Sequence, residues 1–351
     1  MRSRLIDCFA ILLLIMLSSA CKKTVTNATT SGPTVYVAGN GGNSALYWKN
    51  GIATVLPKQS PNNYSAASSI FVSDTDVYVA GSDYTGNISA GVTINAVYWK
   101  NGTEIKLTNL SKPQRAFANS IFVSGGDIYA AGYELTSDSV GIAVYWKNGD
   151  LVNLTPLTPP YPTPPTPPVN TIGSYQLFDY AQAFSIYVSG NDVYVSGFDQ
   201  FYKAAFWKNG VKTQLSDVYE ISNANSIFVS GSDVYTAGWL GDSAVYWKNA
   251  TINYLQDLMP AQAYSVYVSG SDVYVAGGQD GYAQYWKNGT ATNLQSGDAS
   301  LANSIFVAGN NVYVAGGKIG IPQYWKNGAT TNLPIQPGGL ASAYGIFVTN
   351  P

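Results

Sequence analysis

A sevenfold repeat constrains the fold of this chain more than any other feature. The string Tyr/Phe-Trp-Lys-Asn recurs along the 351 residues, with successive copies 39 to 61 residues apart. Its Trp residues are Trp48, Trp99, Trp146, Trp207, Trp247, Trp286 and Trp325. A base period of about 40 residues with insertions is typical of repeat architectures, in which each unit is one supersecondary element packed against its neighbours.

Each unit contains four short apolar segments joined by turn residues. The unit that begins at Ala263 has them at Ser265–Val268, Asp272–Gly277, Ala283–Lys287 and Thr290–Leu294. Segments this short, most of them rich in Val, Ile, Tyr and Thr, predict β-strands, and the Gly-containing pairs between them predict tight hairpin turns. The sequence therefore predicts an all-β chain with four antiparallel strands in each unit.

The last turn of each unit differs at one place. It is Asn-Gly in six units, whereas the fifth unit has Asn249-Ala250. Both central residues of such a hairpin turn take a positive φ, which Gly and Asn tolerate and Ala does not. We expect a locally less favourable turn at Ala250.

The number of segments predicts a closed ring. Segments of the Val-Tyr-Val-Ala-Gly, Ile-Phe-Val and Tyr-Trp-Lys types occur seven times each. The first Val-Tyr-Val-Ala-Gly segment, at Val35, has no Ile-Phe-Val segment before it, and the last Ile-Phe-Val segment, at Ile346, has nothing after it. Four strands in about 40 residues are typical of a propeller blade. We predict a seven-bladed β-propeller over residues 34–351, whose N- and C-terminal strands share one blade and leave no edge open.

The repeat resembles two kinds of known bacterial sequence. The segment order resembles propeller repeats in which a Gly-Val-Ala-Val inner strand precedes a Leu-Tyr-Val-Ala-Asn strand. The Trp-Lys-Asn-Gly segment and the Leu that follows it resemble extracellular repeats of the HAF type, which carry a Trp-x-Asn-Gly segment. The resemblance covers residues 34 to 351 through motifs that specify structure. It implies a secreted propeller with Ile-Phe-Val as the innermost strand, and it implies no reaction.

The N-terminus has the features of a secretory signal peptide. Arg2 and Arg4 precede an apolar run from Phe9 to Leu17, and small residues follow up to Cys21. This order is typical of signal peptides. The apolar run would span about 14 Å as a helix, which is too short to cross a bilayer.

The segment from Leu17 to Cys21 resembles the lipobox of bacterial lipoproteins, in which the Cys is acylated and becomes the new N-terminus. It departs from that pattern because the large apolar residue stands four positions before the Cys rather than three. The resemblance implies a signal peptide at residues 1–20, lipid attachment at Cys21, and a location at the bacterial cell envelope, with the outer membrane as the expected site. Residues 21–33 are polar and predict a flexible tether. An ordinary signal peptide with an incidental Cys is the alternative.

Charge and composition disfavour several classes of function. The chain has 18 Lys and Arg against 20 Asp and Glu, so a nucleic-acid partner is not expected. It has no His, and Cys21 would be its only thiol after cleavage, so the commonest general base and metal ligands are missing. We expect no catalytic residue, no metal site and no cofactor.

Two repeated sets of side chains resemble functional sites, but structural roles explain them better. The seven Trp side chains could form a ligand array, yet bulky aromatic residues on a sheet buried on both faces belong to a core between blades. Five carboxylates share one turn position, and repetition in most units favours a turn device that hydrogen-bonds turn backbone. They belong to Asp76, Asp127, Asp192, Asp233 and Asp272.

The long connections break the repeat. The first and third turns of each unit are tight and share one face of the fold, the tight-turn face. The second and fourth connections are long and share the opposite face, the long-loop face, where binding usually resides. Acids outnumber bases there, which predicts an acidic face unless these are ordinary solvated loops. The acids are Asp83, Glu134, Asp138, Asp179, Asp199, Asp217, Glu220, Asp242, Asp257, Asp280 and Asp298, and the bases are Lys58, Lys112, Arg115, Lys203 and Lys318.

One position near the start of each innermost strand mixes amides with aromatic rings. It lies two residues before the strand's Ile or Val, where we expect the mouth of a central channel. In chain order it is Ser68, Asn119, Phe184, Asn225, Tyr264, Asn303 and Tyr344. Rings that stack and amides that hydrogen-bond suit a sugar or a peptide. We predict that the six amide and aromatic members bind ligand, with plugging of the channel as the alternative.

The segment from residue 155 to 171, between the third and fourth blades, contains eight Pro. This composition predicts an exposed polyproline-like strip. It would either dock a partner or act only as a stiff loop.

Together these features predict a non-catalytic binding or interaction protein of the cell envelope, with a glycan or peptide at the channel mouth or a protein partner on the long-loop face. One alternative is an envelope enzyme that acts on glycans through loop carboxylates, which a total of three Glu disfavours. The other alternative is a structural scaffold of an envelope assembly.

Overall fold

The computed structural model describes residues 32–87, 91–108, 115–135, 140–155, 181–217, 220–256, 260–295, 299–335 and 339–350. Residues 1–20, Cys21, most of the tether and the Pro-rich segment from residue 156 onward lie outside this range. Every regular element within it is a β-strand, so the all-β prediction is confirmed. Within the same residues, no helix has the length and apolar character needed to span a bilayer.

The strands form units of four, in the order that the repeat predicts. Unit 1 consists of β28 (Ala341–Thr349), β1 (Thr34–Gly41), β2 (Ser44–Lys49) and β3 (Ile52–Val55). Unit 2 consists of β4 (Ser65–Ser73), β5 (Asp76–Asn87), β6 (Gly91–Lys100) and β7 (Thr103–Lys106). Unit 3 consists of β8 (Arg115–Ser124), β9 (Asp127–Leu135), β10 (Gly141–Lys147) and β11 (Asp150–Asn153). Unit 4 consists of β12 (Gln182–Ser189), β13 (Asp192–Phe198), β14 (Ala204–Lys208) and β15 (Val211–Gln214).

The remaining units follow the same pattern. Unit 5 consists of β16 (Ser222–Ser230), β17 (Asp233–Leu240), β18 (Ser243–Lys248) and β19 (Thr251–Gln256). Unit 6 consists of β20 (Ala261–Ser269), β21 (Asp272–Gln279), β22 (Tyr282–Lys287) and β23 (Thr290–Gln295). Unit 7 consists of β24 (Leu301–Ala308), β25 (Asn311–Lys318), β26 (Ile321–Lys326) and β27 (Ala329–Asn332).

Pairing within each unit is antiparallel from the first strand to the fourth. In unit 1 the first strand comes from the other end of the chain, because β28 pairs with β1 from Thr34 opposite Thr349 to Gly41 opposite Ala341. Units 2 and 3 join into one eight-stranded sheet through a single parallel bridge between Ile94 and Arg115. That bridge is the one departure from four-stranded sheets among the described residues.

The repeat Trp residues form the core between units, as predicted. Trp99 is fully buried and packs with Tyr36 and Leu56 of unit 1. Its Nε1 donates a hydrogen bond to the carbonyl of Pro57 at 2.8 Å, and Trp48 makes the same bond to Pro334 at 2.9 Å. The Trp side chains are therefore unavailable to a ligand.

Aromatic rings from the first strands contact one another in succession. Their centroids are 4.7 to 5.0 Å apart and their planes are tilted by 48 to 54°. In order of contact they are Phe71, Phe122, Tyr187, Phe228, Tyr267, Phe306 and Phe347. Phe347 of β28 also contacts Phe71 of β4, so the last ring in the chain meets the first.

The turn carboxylates bond to side chains, which corrects the expectation that they bond to turn backbone. Asp76 accepts from Lys100 Nζ at 2.8 Å and from Asn101 Nδ2 at 2.7 Å. The Asn101 Oδ1 in turn accepts from the backbone N–H of Val77, so the cluster ties the two tight turns of a unit together. Hydrogen bonds from Lys100 and Asn101 hold the pKa of Asp76 below its usual value, and the hydrogen bond to Asp76 raises the pKa of Lys100 to about 12. The repeat Lys also lies over a ring, 5.3 Å from the centroid of Tyr78.

We expect Ala250→Gly to stabilise the protein by about 0.5–1 kcal/mol, because Ala250 has a φ of +66° that Gly adopts without a steric cost. The matched control is Gly289→Ala at the same turn position of unit 6, where φ is +82° and nothing lies within 4 Å of an added Cβ. That control should lose about 1 kcal/mol through backbone conformation alone. Chemical denaturation of both variants measures the change, and a destabilised Ala250→Gly variant would contradict the expectation.

Candidate functional site

A β-bulge places each residue of the predicted channel mouth. In unit 2, Ala67 pairs with Gly81 and Ser69 pairs with Ala80, so Ser68 is the extra, unpaired residue. Such a bulge turns the side chain of its extra residue out of the regular alternation. The same shift occurs in all seven units, and its extra residues are Ser68, Asn119, Phe184, Asn225, Tyr264, Asn303 and Tyr344.

The bulge also explains the Gly that ends the Val-Tyr-Val-Ala-Gly segment. A Cβ on Gly81 would stand 1.8 Å from the carbonyl oxygen of Ala66, and one on Gly132 would stand 1.8 Å from that of Phe117. The bulged backbone therefore comes too close to the second strand for any side chain there. The repeat glycine therefore allows the bulge to form, and the bulge in turn places the residues of the cavity.

The seven bulged residues line one cavity of about 510 Å³. Its wall consists of Ser, Asn, Tyr, Phe, Ala and Gly, and none of its described lining residues carries a charge. The contacting aromatic rings lie three residues further along the first strands, about 10 Å from the bulge, and are not among the residues that line the cavity. Ligand sites in proteins are commonly concave and of this size, but the wall of this cavity is more polar than is usual for them.

The three asparagines have a fixed orientation. Nδ2 of Asn119, Asn225 and Asn303 donates to the backbone carbonyl of the next first strand, at 2.8 Å in each case. A carbonyl can only accept, so this bond assigns the amide nitrogen to the strand. The amide oxygens are thus directed elsewhere and can accept hydrogen bonds from a ligand. The amides therefore both join neighbouring strands and equip the cavity with acceptors.

Serine hydroxyls form a second row, one residue below the bulge. Oγ of Ser69 accepts from the backbone N–H of Ile121, and Oγ of Ser265 accepts from that of Ile305. A hydroxyl that accepts in this way still has its own hydrogen to donate. The equivalent residue of unit 1 is Gly345, where a Cβ would lie 3.1 Å from the Cα of Ser69. Unit 1 thus approaches unit 2 closely at this level, and a side chain there would require the backbone of unit 2 to move by a few tenths of an ångström.

Aromatic side chains occupy alternate positions of the mouth. Phe184 and Tyr264 are half-buried, whereas Tyr344 is 40% exposed. The Tyr264 hydroxyl donates to Oε1 of Gln262 at 2.7 Å. Burial raises the pKa of Tyr264, so its phenol stays protonated at neutral pH. The mouth therefore presents neutral rings between amide oxygens.

Sequence reasoning missed one side of the cavity. Asn40, Tyr64, Ser82, Tyr84 and Phe117 also line it. Asn40 donates to the Tyr64 hydroxyl at 3.0 Å, and the Tyr64 and Tyr84 rings meet edge to face at 5.1 Å. Phe117 precedes Asn119 by two residues, but the bulge at Asn119 interrupts the alternation of the strand, so this spacing alone did not mark Phe117. The others come from second strands and a connection, which no repeat position marked.

Similarity to known proteins was found among solved structures. No protein-family model matches the sequence, and no curated protein matches it. Among solved structures, the chain is similar to one in a nidogen/laminin complex, with 10% identity and a TM-score of 0.44 over 90% of this chain and 98% of that one. It is also similar to apo AztD from Citrobacter koseri, with 12% identity and a TM-score of 0.45 over 91% of this chain and 98% of that one.

Two of the acids predicted to make the long-loop face acidic are buried. Asp199 accepts from Lys212 Nζ at 2.7 Å and from the backbone N–H groups of Phe201 and Lys203. Asp83, at the same position of unit 2, is fully buried, and its Oδ1 has no hydrogen-bond partner. The sequence predicts exposed loop charges at both positions, because it does not show that the ends of the second strands are covered.

The residue near Asp83 on the fourth strand is also acidic, so it cannot neutralise the Asp83 carboxylate. The fourth strand of unit 4 carries Lys212, whereas the equivalent residue of unit 2 is Glu104. The backbone N–H of Gln59 donates to Asp83 and its side-chain amide donates to Glu104, so one residue bridges both acids. Burial raises the pKa of Asp83 and of Glu104. The negative charge of Asp83 raises the pKa of Glu104 further, whereas Lys106 and Lys58 offset part of the rise at Asp83.

We expect Glu104→Lys to stabilise the protein at pH 7 by about 1–2 kcal/mol, because it supplies the charged hydrogen bond that Asp199 receives from Lys212. In the parent, the pKa values of Asp83 and Glu104 are higher in the folded state than in the unfolded state. The contribution of this pair to the free energy of unfolding is therefore greatest below about pH 4, and it falls as the pH rises through the folded-state pKa values. Thermal unfolding from pH 4 to 8 should show a flatter profile for the variant. Lys212→Glu is the matched control and should destabilise; an unstabilised Glu104→Lys variant would contradict the account.

A metal centre has no basis in these side chains. Among the described residues, no three or more Asp, Glu, Cys or His side chains lie close enough together to hold an ion. The chemistry that the cavity does offer is neutral: hydroxyl donors, amide acceptors and aromatic faces.

Proposed function

We propose that this chain is a seven-bladed β-propeller, anchored at the bacterial cell envelope by a lipid on Cys21, which binds a neutral glycan at the cavity and performs no chemistry on it. The observation that carries the proposal is the convergence of seven bulged residues on one uncharged cavity of about 510 Å³. The ligand, the anchor and the closed ring are each open to test.

Contacts between the ends of the chain support the closed ring. β28 completes unit 1 by pairing along the whole of β1, so the two terminal strands complete one blade. Phe347 contacts the ring before it, Phe306, and also Phe71 of unit 2. Ile346 accordingly packs with Val35 and Trp48 in one buried cluster.

Hydrogen-bonding capacity favours a glycan over other neutral ligands. A sugar hydroxyl both donates and accepts, so it can pair with the amide oxygen of an Asn and with the hydroxyl of a Ser. The apolar face of a sugar ring can lie on Tyr264 or Tyr344. Each ring contact contributes about 0.5–1.5 kcal/mol, so two or three rings with hydrogen bonds support affinities of about micromolar to millimolar. A peptide is the other ligand that meets these requirements.

The alternatives have less support from the site. No carboxylate is among the described lining residues of the cavity, so a glycan-cleaving acid pair would have to lie elsewhere. A scaffold role is favoured by apolar side chains on the long-loop face, of which Ile319 and Leu340 are 72% and 74% exposed. A scaffold would bind protein through this rim and not through the cavity.

We expect a screen of neutral oligosaccharides and peptides on the soluble ectodomain to find an oligosaccharide that binds, and Tyr264→Ala or Tyr344→Ala to weaken that binding three- to tenfold each. Calorimetric titration measures the change. Tyr254→Ala is the matched control, because Tyr254 is 53% exposed on the outer strand β19 and away from the cavity. If a ligand binds both cavity variants as tightly as the parent, the proposed site is wrong.

A further inference from the structure

The described chain enters the fold on the tight-turn face. Thr34, the first residue of β1, lies opposite Thr349 at the end of β28. The backbone N–H of Val35 donates to Oδ1 of Asn50, in the adjacent tight turn, at 2.8 Å. The cavity residue Tyr344 lies five residues before Thr349, about 17 Å away along the strand. The chain therefore enters on one face and the cavity opens toward the other.

Two lysines near this entry point differ from their counterparts. In units 2 to 6 the repeat Lys forms an ion pair with the turn Asp at 2.8 Å. Units 1 and 7 have Thr34 and Asn311 at that position, so within the described residues no carboxylate pairs with Lys49 or Lys326. Their Nζ atoms lie over Tyr rings, 5.4 and 5.5 Å from the centroids. Units 1 and 7 are neighbours, so two uncompensated positive charges lie in one sector.

An exposed apolar side chain lies beside one of these charges. Ile52 pairs with Lys49 across β2 and β3, and it is 74% exposed. Ammonium groups bind phosphate groups of phospholipids, and an apolar side chain beside them can enter the headgroup region. Lys49, Ile52 and Lys326 thus combine the two chemistries that favour a membrane surface. We call these three residues the membrane patch.

We propose that the membrane patch rests on anionic phospholipid headgroups, so that the cavity faces away from the bilayer to which the protein is anchored. The proposal rests on the lipid anchor at Cys21 proposed above. Thirteen residues lead from Cys21 to Thr34 and reach at most about 45 Å, so the anchored domain stays close to the surface. Lys22 and Lys23 follow the anchor directly and add positive charge at the same surface.

The experiment places one reporter on each face. Ile52→Trp and Ile319→Trp introduce indoles at sites of similar exposure, 74% and 72%. The seven buried repeat Trp side chains and the half-buried Trp239 are present in both variants and supply the same background. The lipidated full-length protein is reconstituted in vesicles of phosphatidylcholine and phosphatidylglycerol that contain brominated lipid. We expect bromine to quench the added fluorescence of Ile52→Trp at least threefold more than that of Ile319→Trp. Equal quenching, or stronger quenching at Ile319→Trp, would overturn the proposal.

Two controls separate the patch from the anchor. Quenching at Ile52→Trp should be stronger in vesicles with phosphatidylglycerol than in vesicles without it, and the double substitution Lys49→Gln with Lys326→Gln should reduce this difference. Lys208→Gln, in unit 4, should preserve the difference. The reverse result would overturn the role of the two charges. If the lipidated protein does not sediment with vesicles, the proposed anchor fails. The ectodomain is then coupled through its Cys21 thiol to a maleimide lipid, and the same two reporters determine which face meets the bilayer.

Discussion

Deleting residues 341–351 should destabilise the whole domain rather than fray one end. The deletion removes β28, and with it the buried side chains Ala343, Ile346 and Val348. Burial of each larger apolar side chain contributes about 1.5–3 kcal/mol, and loss of the β1 pairing adds to this. The total approaches the 5–15 kcal/mol by which domains are usually stable. Circular dichroism during heating should show a fall of well over 10 °C in the midpoint, or no cooperative transition.

A shorter deletion and a peptide make this test specific. Removal of residues 350 and 351 alone leaves β28 intact and should leave the midpoint within about 1 °C of the parent. A synthetic peptide of residues 341–351, added in excess, should restore part of the lost stability, because it can refill the vacant place beside β1. An unchanged midpoint after the long deletion would show that β28 does not complete unit 1 in solution.

Cys21→Ser should move the protein from the membrane to the soluble fraction of the envelope. Without the thiol no acyl chain can be attached, and each acyl CH₂ contributes about 0.8 kcal/mol to membrane binding. The membrane patch alone is too small to retain the domain. Fractionation followed by salt and alkali washes measures the distribution, and the mass of the variant reports whether residues 1–20 have been removed.

Cys8→Ser is the matched control for that experiment. Cys8 lies within residues 1–20, which the proposed cleavage removes, so the variant should remain membrane-bound like the parent. Membrane retention of Cys21→Ser that resists both washes would contradict lipidation at Cys21.

Strand content and unit order were predictable because the repeat encodes them locally. Segments of the Val-Tyr-Val-Ala-Gly type predict a strand, and the Asn-Gly pairs of six units predict a turn, from local sequence alone. Every unit of the structure has the strand and the turn in the expected order, including unit 5 with Asn249-Ala250. The completion of unit 1 by β28 was also predictable, since counting segments shows which strand unit 1 lacks. The mouth residues followed from one repeat position, and the structure brings all seven to one cavity.

The parts that the sequence did not reveal depend on contacts between units. Asp83 and Asp199 share a repeat position, but only packing shows that both are buried and that Lys212 neutralises just one of them. The fixed orientation of the Asn119 amide likewise requires the carbonyl of Ala183, 64 residues away. Tyr64 joins the cavity from a connection whose path no repeat specifies. Such features follow from tertiary structure and not from local pattern.

A co-crystal structure with the best oligosaccharide from the binding screen tests the central claim most directly. The account predicts an ordered sugar in the cavity, with a ring face on Tyr264 or Tyr344 and a hydroxyl within 2.6–3.2 Å of the amide oxygen of at least one of Asn119, Asn225 and Asn303. A sugar bound to the outer strands or the long-loop rim, with the cavity filled only by water, would contradict it.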